Sequence, residues 1–253
     1  MYLEMDQRGH PPGPSPARTG LPSRLPGGPG DRVVALVSGG LDSAVLTWWL
    51  LEQERVVVPA FVREGLAWEE AELHHLRRFL AALARPGLAE LVVIELPVAD
   101  VVGDHWSLGG HAVPDDRSPD AAVYLPGRNL LLIAKAALLA ARMDARSVAL
   151  GLLAGNPFSD ATPTFLSTLA SACSLALERP FQVLAPFSRM GKRDVLWLGA
   201  KLPLALTFSC LAPSGLEPCG SCNKCAERRR AFAGSGLDDP TSYADRPGDP
   251  ATG

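Results

Sequence analysis

Apolar and polar positions follow one another along this chain in two rhythms. Residues 33–37 are an unbroken aliphatic run, the pattern of a strand covered on both faces. Residues 56–62 and 91–96 repeat it, and 147–150 and 181–184 give shorter versions. Between these runs, apolar positions recur at helical spacing over 44–54, 68–84, 129–143, 163–177 and 192–201. Strands alternating with helices predict an α/β fold: a doubly wound, mostly parallel sheet with helices on both faces. One connection, 97–125, is polar and long for a compact domain, which marks a functional or mobile segment.

Both ends of the chain break the rhythm. Residues 1–30 hold seven prolines and six glycines without periodicity. Such a composition buries too little surface to offset its ordering entropy, so the stretch reads as a disordered extension. The chain after Asp238 is similar, with 246–253 a flexible tail. An α/β domain over 31–205 and a cysteine-bearing region over 206–245 complete the expected organisation.

Hydrophobic residues at 47% and aromatics at only 6% supply a full core built mainly from Ala, Leu and Val. A net charge of −3 creates no global field toward nucleic acid, so no stable nucleic-acid partner is expected. The longest apolar run, 130–141, carries Lys135 and is too short to span a bilayer. The first residues lack the charged-then-apolar layout of an export signal. The expectation is a cytoplasmic protein without a membrane partner, its thiols reduced.

Candidate chemistry begins where the first strand stops. Residues 33–44 read VVALVSGGLDSA. A strand, a glycine-rich turn and a helix make a phosphate site, because glycine lets backbone N–H groups approach an anion at a helix N-terminus. Ser38 and Ser43 add hydroxyls, either of which could cap the helix. No Lys follows the glycines, which excludes the kinase-type P-loop, and Gly-x-Gly-x-x-Gly is absent. Ser38-Gly39-Gly40-Leu41-Asp42-Ser43 resembles the pyrophosphatase loop of the adenylating ATPases (the PP-loop superfamily), which cleave ATP to AMP and pyrophosphate. An acid at Asp42 suits Mg2+ held beside the phosphates.

The second constellation is CLAPSGLEPCGSCNKC, with Cys210, Cys219, Cys222 and Cys225. Four clustered thiolates in a reduced compartment suit tetrahedral Zn2+ without an open coordination position. A redox Cys-x-x-Cys pair fits less well, since four cysteines cluster rather than two. An iron–sulfur cluster is a further reading. So is a nucleic-acid zinc ribbon, given Lys224 and Arg228–Arg230, although a basic run after a knuckle is more often a solvated helical face.

Together and in this order, the two motifs resemble the 7-cyano-7-deazaguanine synthase family. The likeness includes Pro126-Gly127-Arg128-Asn129 at a helix start, Pro186 followed by Lys192, Thr207-Phe208-Ser209-Cys210, Cys219-Gly220-x-Cys-x-x-Cys-x-x-Arg, and Asp239-Pro240-Thr241-x-Tyr243. It covers about residues 31–245. One segment departs. Where the family has Tyr-Pro-Asp-Cys-Arg-Pro-Glu-Phe, this chain keeps Asp160, Pro163 and Phe165 but carries Ala161, Thr162 and Thr164 at the Cys, Arg and Glu positions. Losing an Arg removes a bidentate handle, so the chemistry could be retained while the substrate differs.

The resemblance implies a PP-loop ATP-binding domain of adenine-nucleotide-hydrolase-like, Rossmann-like fold, with a small C-terminal zinc-binding region of helix and loop. It implies an ATP-dependent C–N ligase of deazapurine biosynthesis that adenylates the carboxylate of 7-carboxy-7-deazaguanine and turns it, with ammonia, into the nitrile through the amide. Ser38, Gly39, Gly40, Leu41 and Ser43 would then bind ATP phosphates, and Asp42 would hold Mg2+. Lys192 would offset charge on the leaving pyrophosphate. Arg128 and Asn129 would meet nucleotide or substrate, Asp160 the guanidine-like edge of the substrate, and the four cysteines Zn2+. A homodimer is also implied.

Two other readings stand beside this one. A related adenylating enzyme could act on another acceptor, as an amide-forming ligase, a deazapurine transferase or a tRNA thiolase; for the last, Cys173 is the one spare cysteine. A non-catalytic zinc-ribbon module is opposed by the intact loop. Of the remaining residues, His74-His75 reads as a solvated helical face, Trp48-Trp49 as packing and Cys173 as a small buried hydrophobe, while His105 and His111 could close over substrate from the long loop.

Overall fold

The structure, a computed structural model, describes residues 20–22 and 25–244. Chain order is β1 (Arg32–Leu36), α1 (Leu41–Glu52), β2 (Val56–Arg63), α2 (Glu69–Leu83), β3 (Val92–Glu95), α3 (Ala99–Val102), α4 (Trp106–Gly109), α5 (Arg128–Arg142), β4 (Ser147–Ala149), α6 (Pro163–Ala176), β5 (Gln182–Leu184), α7 (Lys192–Leu198) and α8 (Asn223–Ser235). The five expected strands are present, displaced by a residue or two at their ends, as strand termini commonly are.

All pairings are parallel, in the order β3-β2-β1-β4-β5. The chain leaves β1 toward β2 and β3, then crosses back to β4 and β5. The reversal opens a crevice between β1 and β4 at the carboxyl edge, where such sheets bind ligands. Side chains alternate along β1 with the period of a strand. Val33, Ala35 and Val37 pack with α1, α2 and α7; Val34 packs with α5 and α6 on the other face. The doubly wound sheet is thus written into one five-residue strand.

A third cluster lies beyond the sheet edge and gathers the four cysteines with Leu66, Trp68, Ala71, Val123 and Phe208. It binds the C-terminal region to α2 and to the long connection. That connection is not an open loop. Asn223 donates its backbone N–H to the Pro114 carbonyl at 2.9 Å and its Nδ2 to that of Ser118 at 2.8 Å, strapping 114–118 onto the start of α8.

The last part of the 1–30 stretch departs from the disordered reading. Leu25 is buried in the first core cluster, and Arg55 donates to the Leu25 and Pro26 carbonyls at 3.4 and 2.8 Å. Composition missed this because one leucine and two carbonyls suffice to anchor an otherwise pattern-free segment. Expectations for residues 1–19, 23–24 and 245–253 lie outside the described residues. Among the described residues, no helix is long and apolar enough to cross a membrane.

Candidate active site

After β1 the chain turns through Ser38, Gly39 and Gly40 into α1. Gly39 has φ +78, and a Cβ there would stand 2.8 Å from the Glu72 carbonyl oxygen, so this turn requires glycine. The hydroxyls fold the loop upon itself. Ser43 Oγ donates to the Gly40 carbonyl at 3.0 Å and accepts from the Ser38 N–H at 3.3 Å, while Ser38 Oγ accepts from the Gly40 N–H at 3.3 Å. Gly40 itself occupies the N-cap of α1, without a side-chain cap. From β4, Gly151 approaches so closely that a Cβ would sit 3.0 Å from the Asp42 carbonyl carbon.

Lys192 reaches this loop across 150 residues of sequence. Its Nζ donates to Asp42 Oδ2 at 2.7 Å, and Glu227 Oε1 lies 3.4 Å from it. Glu227 Oε2 accepts from Lys224 Nζ at 2.6 Å. Four charges of alternating sign therefore run in a row from α1 to α8. Burial opposes the charge on Lys192, but Asp42 and Glu227 outweigh it and the pKa rises. Burial likewise works against ionised Glu227, and the two ammonium groups overcome it, holding the carboxyl at about 2. The second oxygen of Asp42, Oδ1, is buried without a hydrogen-bond partner. The loop, this charge row and an apolar wall that includes Leu132, Leu150 and Leu152 border one cleft of about 320 Å³.

Arg128 also faces the cleft, but its Nη2 and Nε bind Glu64 Oε2 at 2.7 and 2.8 Å. Burial disfavours its charge, yet Glu64, helped by Glu72 and Glu69, outweighs that and raises its pKa. Glu72, on the cleft wall, is pushed up to about 8, chiefly by burial.

Asn129 and Asp160 do not border the cleft. Asp160 Oδ2 accepts the backbone N–H of Asn129 at 3.0 Å and Oδ1 its Nδ2 at 3.3 Å. It is 5% exposed and satisfies the N-terminus of α5. Nor does it cap the helix that follows it: Thr162 caps α6, accepting the Phe165 N–H at 3.3 Å.

The four cysteines converge with all Sγ atoms within 4.8 Å of one another, and all four are buried. Zn–S bonds of about 2.3 Å put tetrahedral sulfurs roughly 3.8 Å apart, so the four could hold one metal ion. Backbone N–H groups of Leu211, Ala212 and Cys219 point at Cys222 and Cys210 sulfurs at 3.3–3.4 Å, which favours thiolates. A hydrogen bond with Cys210 lowers the pKa of Cys222. Gly220 turns the knuckle with φ +89.

The sequence patterns did not single out Glu64, Glu72 or Glu227: Glu64 follows the apolar run of β2, Glu72 lies within α2, and Glu227 stands just past the cysteine motif. Lys224, read with the basic run as a solvated face, borders the cleft instead. Two more surface readings are corrected. His75 stacks on Phe208 at 5.0 Å, with Nε2 2.9 Å from the Leu216 carbonyl oxygen, and burial lowers its pKa. Arg228 is 3% exposed and donates to Thr207 Oγ1 at 2.8 Å and the Leu204 carbonyl at 2.9 Å. His105 Nδ1 meets Ser107 Oγ at 2.9 Å, and His111 lies 3.5 Å from Asp104; neither borders the cleft. Trp49 packs edge-on against Phe187 in the core, and Cys173 is buried in α6, as expected.

The family model described as "Queuosine biosynthesis protein QueC" matches residues 32–236. The 7-cyano-7-deazaguanine synthase 1 of Desulfitobacterium hafniense (strain Y51) is 30% identical over 206 residues, 80% of this chain and 91% of that protein. The 7-cyano-7-deazaguanine synthase of Methanothermobacter thermautotrophicus is 30% identical over 225 residues, 84% and 99% of the two chains. That of Erythrobacter litoralis is 33% identical over 232 residues, 84% and 92%. The match takes in the loop after β1, Lys192 and the four cysteines alike, and on it the chain belongs to the QueC family of queuosine biosynthesis proteins.

Proposed function

We propose that this protein is an ATP-dependent C–N ligase that converts 7-carboxy-7-deazaguanine to 7-cyano-7-deazaguanine. The observation that carries the reading is the meeting of Ser38–Ser43, Lys192 and the α8 charges on one cleft, at the sheet's switch point, in a chain about 30% identical to synthases of that name.

A carboxylate resists ammonia because its oxygen leaves poorly. Transfer of AMP from ATP to that oxygen releases pyrophosphate and creates a good leaving group. Ammonia attacks the activated carbon, loses a proton, and expels AMP to give the amide. A second ATP activates the amide oxygen; loss of AMP and of the nitrogen's protons leaves the nitrile. Both rounds act on one carbon, so one cleft serves both.

In this reading the turn at Gly39 and Gly40, with Leu41 and Ser43 at the start of α1, cradles the phosphates through backbone N–H groups. The Ser38 and Ser43 hydroxyls first hold the loop's shape. Asp42 Oδ1, buried and unpartnered, fits a Mg2+ ligand, and that ion would neutralise phosphate charge. Lys192 meets the departing pyrophosphate with a fixed positive charge. Arg128 offers its cleft face to nucleotide or substrate, while Asn129 and Asp160 support the reaction by fixing the start of α5 that carries it. The thiolates of Cys210, Cys219, Cys222 and Cys225 would hold a Zn2+ ion, whose part is to fix the fold around α8. A single-ion tetrahedron suits their spacing.

The test is one incubation of protein with Mg-ATP, ammonium and 7-carboxy-7-deazaguanine, read by mass spectrometry. Nitrile together with AMP is the expected product set. Amide alone would remove the second round; AMP only with a different acid would retain adenylation and overturn the substrate. A cytoplasmic homodimer belongs to the same reading, and gel filtration at the 26.8 kDa monomer mass would overturn the dimer.

A further inference from the structure

Lys224 stands between two of the four cysteines, in the sequence Cys222-Asn223-Lys224-Cys225. Cys222 is the N-cap of α8, so the turn that gathers the cysteines also sets the rotation of that helix. The same rotation carries Lys224 and Glu227 to the cleft wall, opposite the loop that follows β1. Each oxygen of Glu227 then faces a different ammonium group: Oε2 lies 2.6 Å from Lys224 Nζ and Oε1 lies 3.4 Å from Lys192 Nζ.

A lysine and a glutamate three apart on a helix are usually a surface pair of small consequence. This pair differs in two ways. It borders the cleft, with the two side chains only 31% and 30% exposed, and its carboxylate is shared with Lys192. One carboxylate balances one ammonium. The other balancing charge is Asp42, whose Oδ1 is unpartnered and whose Oδ2 holds Lys192. A cation bound at Asp42 would leave two ammonium groups on one glutamate, a net positive charge aimed at whatever anion lies on the loop. Lysine acts on phosphate as a point charge, and needs no fork geometry to do so.

We infer that Lys224 is a second phosphate-binding ammonium, supplied by the cysteine module and aligned with Lys192 by Glu227, so that the metal-binding turn is part of the polyphosphate site. This rests on the reading of the cleft as an ATP site. It gives the cysteine region a duty beyond scaffolding: without the bound ion the helix start that aims Lys224 is no longer fixed.

Calorimetric titration of the metal-loaded protein with pyrophosphate and Mg2+ tests the inference without any deazapurine. The wild type is compared with Lys192→Met, Lys224→Met and Lys224→Arg. Each Met variant is expected to weaken pyrophosphate binding roughly tenfold, as for a lost hydrogen bond between charged groups. Lys224→Arg should recover most of it, and Lys224→Met should keep its metal and melting temperature. Wild-type affinity in Lys224→Met, with affinity lost in Lys192→Met, would overturn the inference and leave the ATP site intact. Wild-type affinity in Lys192→Met would overturn the ATP reading itself, and the inference with it. Metal loss from Lys224→Met would also overturn it, because the effect would then be structural.

Discussion

Arg128 closes on Glu64 with two nitrogens on one oxygen, at 2.7 and 2.8 Å, and that oxygen belongs to a side chain only 2% exposed. Glu69 and Glu72 lie close enough to add to the field on the same guanidinium, although Glu69 also faces Arg63 at 3.9 Å. Glu69 spends its carboxylate on the backbone N–H groups of Glu64 and Gly65, which fixes the turn after β2. The arginine of a motif expected to meet ligand is first a structural counter-ion. Removing it leaves the buried Glu64 without its counter-ion, and Arg128→Ala should cost about 2–3 kcal/mol, below the figure for a fully buried pair because the guanidinium is one third exposed to the cleft. Arg128→Lys should recover little, because one ammonium does not reproduce the two-nitrogen contact. Adding Glu64→Gln to Arg128→Ala should restore most of the loss. Urea unfolding of wild type, Arg128→Ala, Glu64→Gln and the double variant completes a double-mutant cycle that reads the coupling; additive losses would mean the pair is not a unit.

Glu72 should make stability depend on pH. Burial raises its pKa from 4.5 to about 8, so between those values the folded protein binds a proton that the unfolded chain has lost. The neutral-acid contribution is fully present below pH 4.5, fades as pH rises, and is gone above about 8. Glu72→Gln keeps the shape and removes the titration. It should melt at least several degrees above wild type at pH 8.5, and the two curves should converge near pH 4.5. Thermal melts without ligand across that range check this; parallel curves would refute a raised Glu72.

Much of this architecture was legible because it is periodic. Alternating Val33, Val34 and Ala35 specify a strand buried on both faces, and the glycines at 39 and 40 announce the turn that follows. The cysteine spacing identified all four converging thiols. What escaped was paired over long distances or broke the apolar rhythm. Lys192 was legible as a site residue, but its partners Asp42 and Glu227 are set by the fold, and no local pattern names them. Helix α8 was legible as a helix, but not its buried face, which is polar: Asn223 and Arg228 are buried there through hydrogen bonds, and periodicity counts such residues as surface. Asp160 carried a real signal, a conspicuous acid before a helix, but its target is the start of α5, 31 residues earlier.

That target gives Asp160 a test of its own. Because both oxygens serve Asn129 and neither borders the cleft, Asp160→Ala should act on stability rather than on recognition. Loss of a helix-terminal acceptor costs about 1 kcal/mol. The expected outcome is a melting temperature lower by a few degrees, with KM for the deazapurine within twofold of wild type. A large rise in KM at unchanged melting temperature would return Asp160 to the substrate.

Cys222 joins the cysteine turn to the start of α8, since it is one of four converging thiols, the N-cap of the helix, and the acceptor of the Leu211 N–H at 3.4 Å. Cys222→Ser replaces a thiolate with a hydroxyl that does not ionise at neutral pH. Bound metal should fall from about one ion per chain toward zero, and melting should drop by roughly 10 °C, on the order of 3 kcal/mol. Cys173→Ser is the control: that thiol is buried in α6 away from the cluster, and burial raises its pKa, so it stays a neutral thiol. Its metal content should be unchanged. Metal analysis of both variants by mass spectrometry, beside their melts, decides the matter. Full metal in Cys222→Ser would remove the cysteine turn as the ion's site and leave α8 fixed by packing alone.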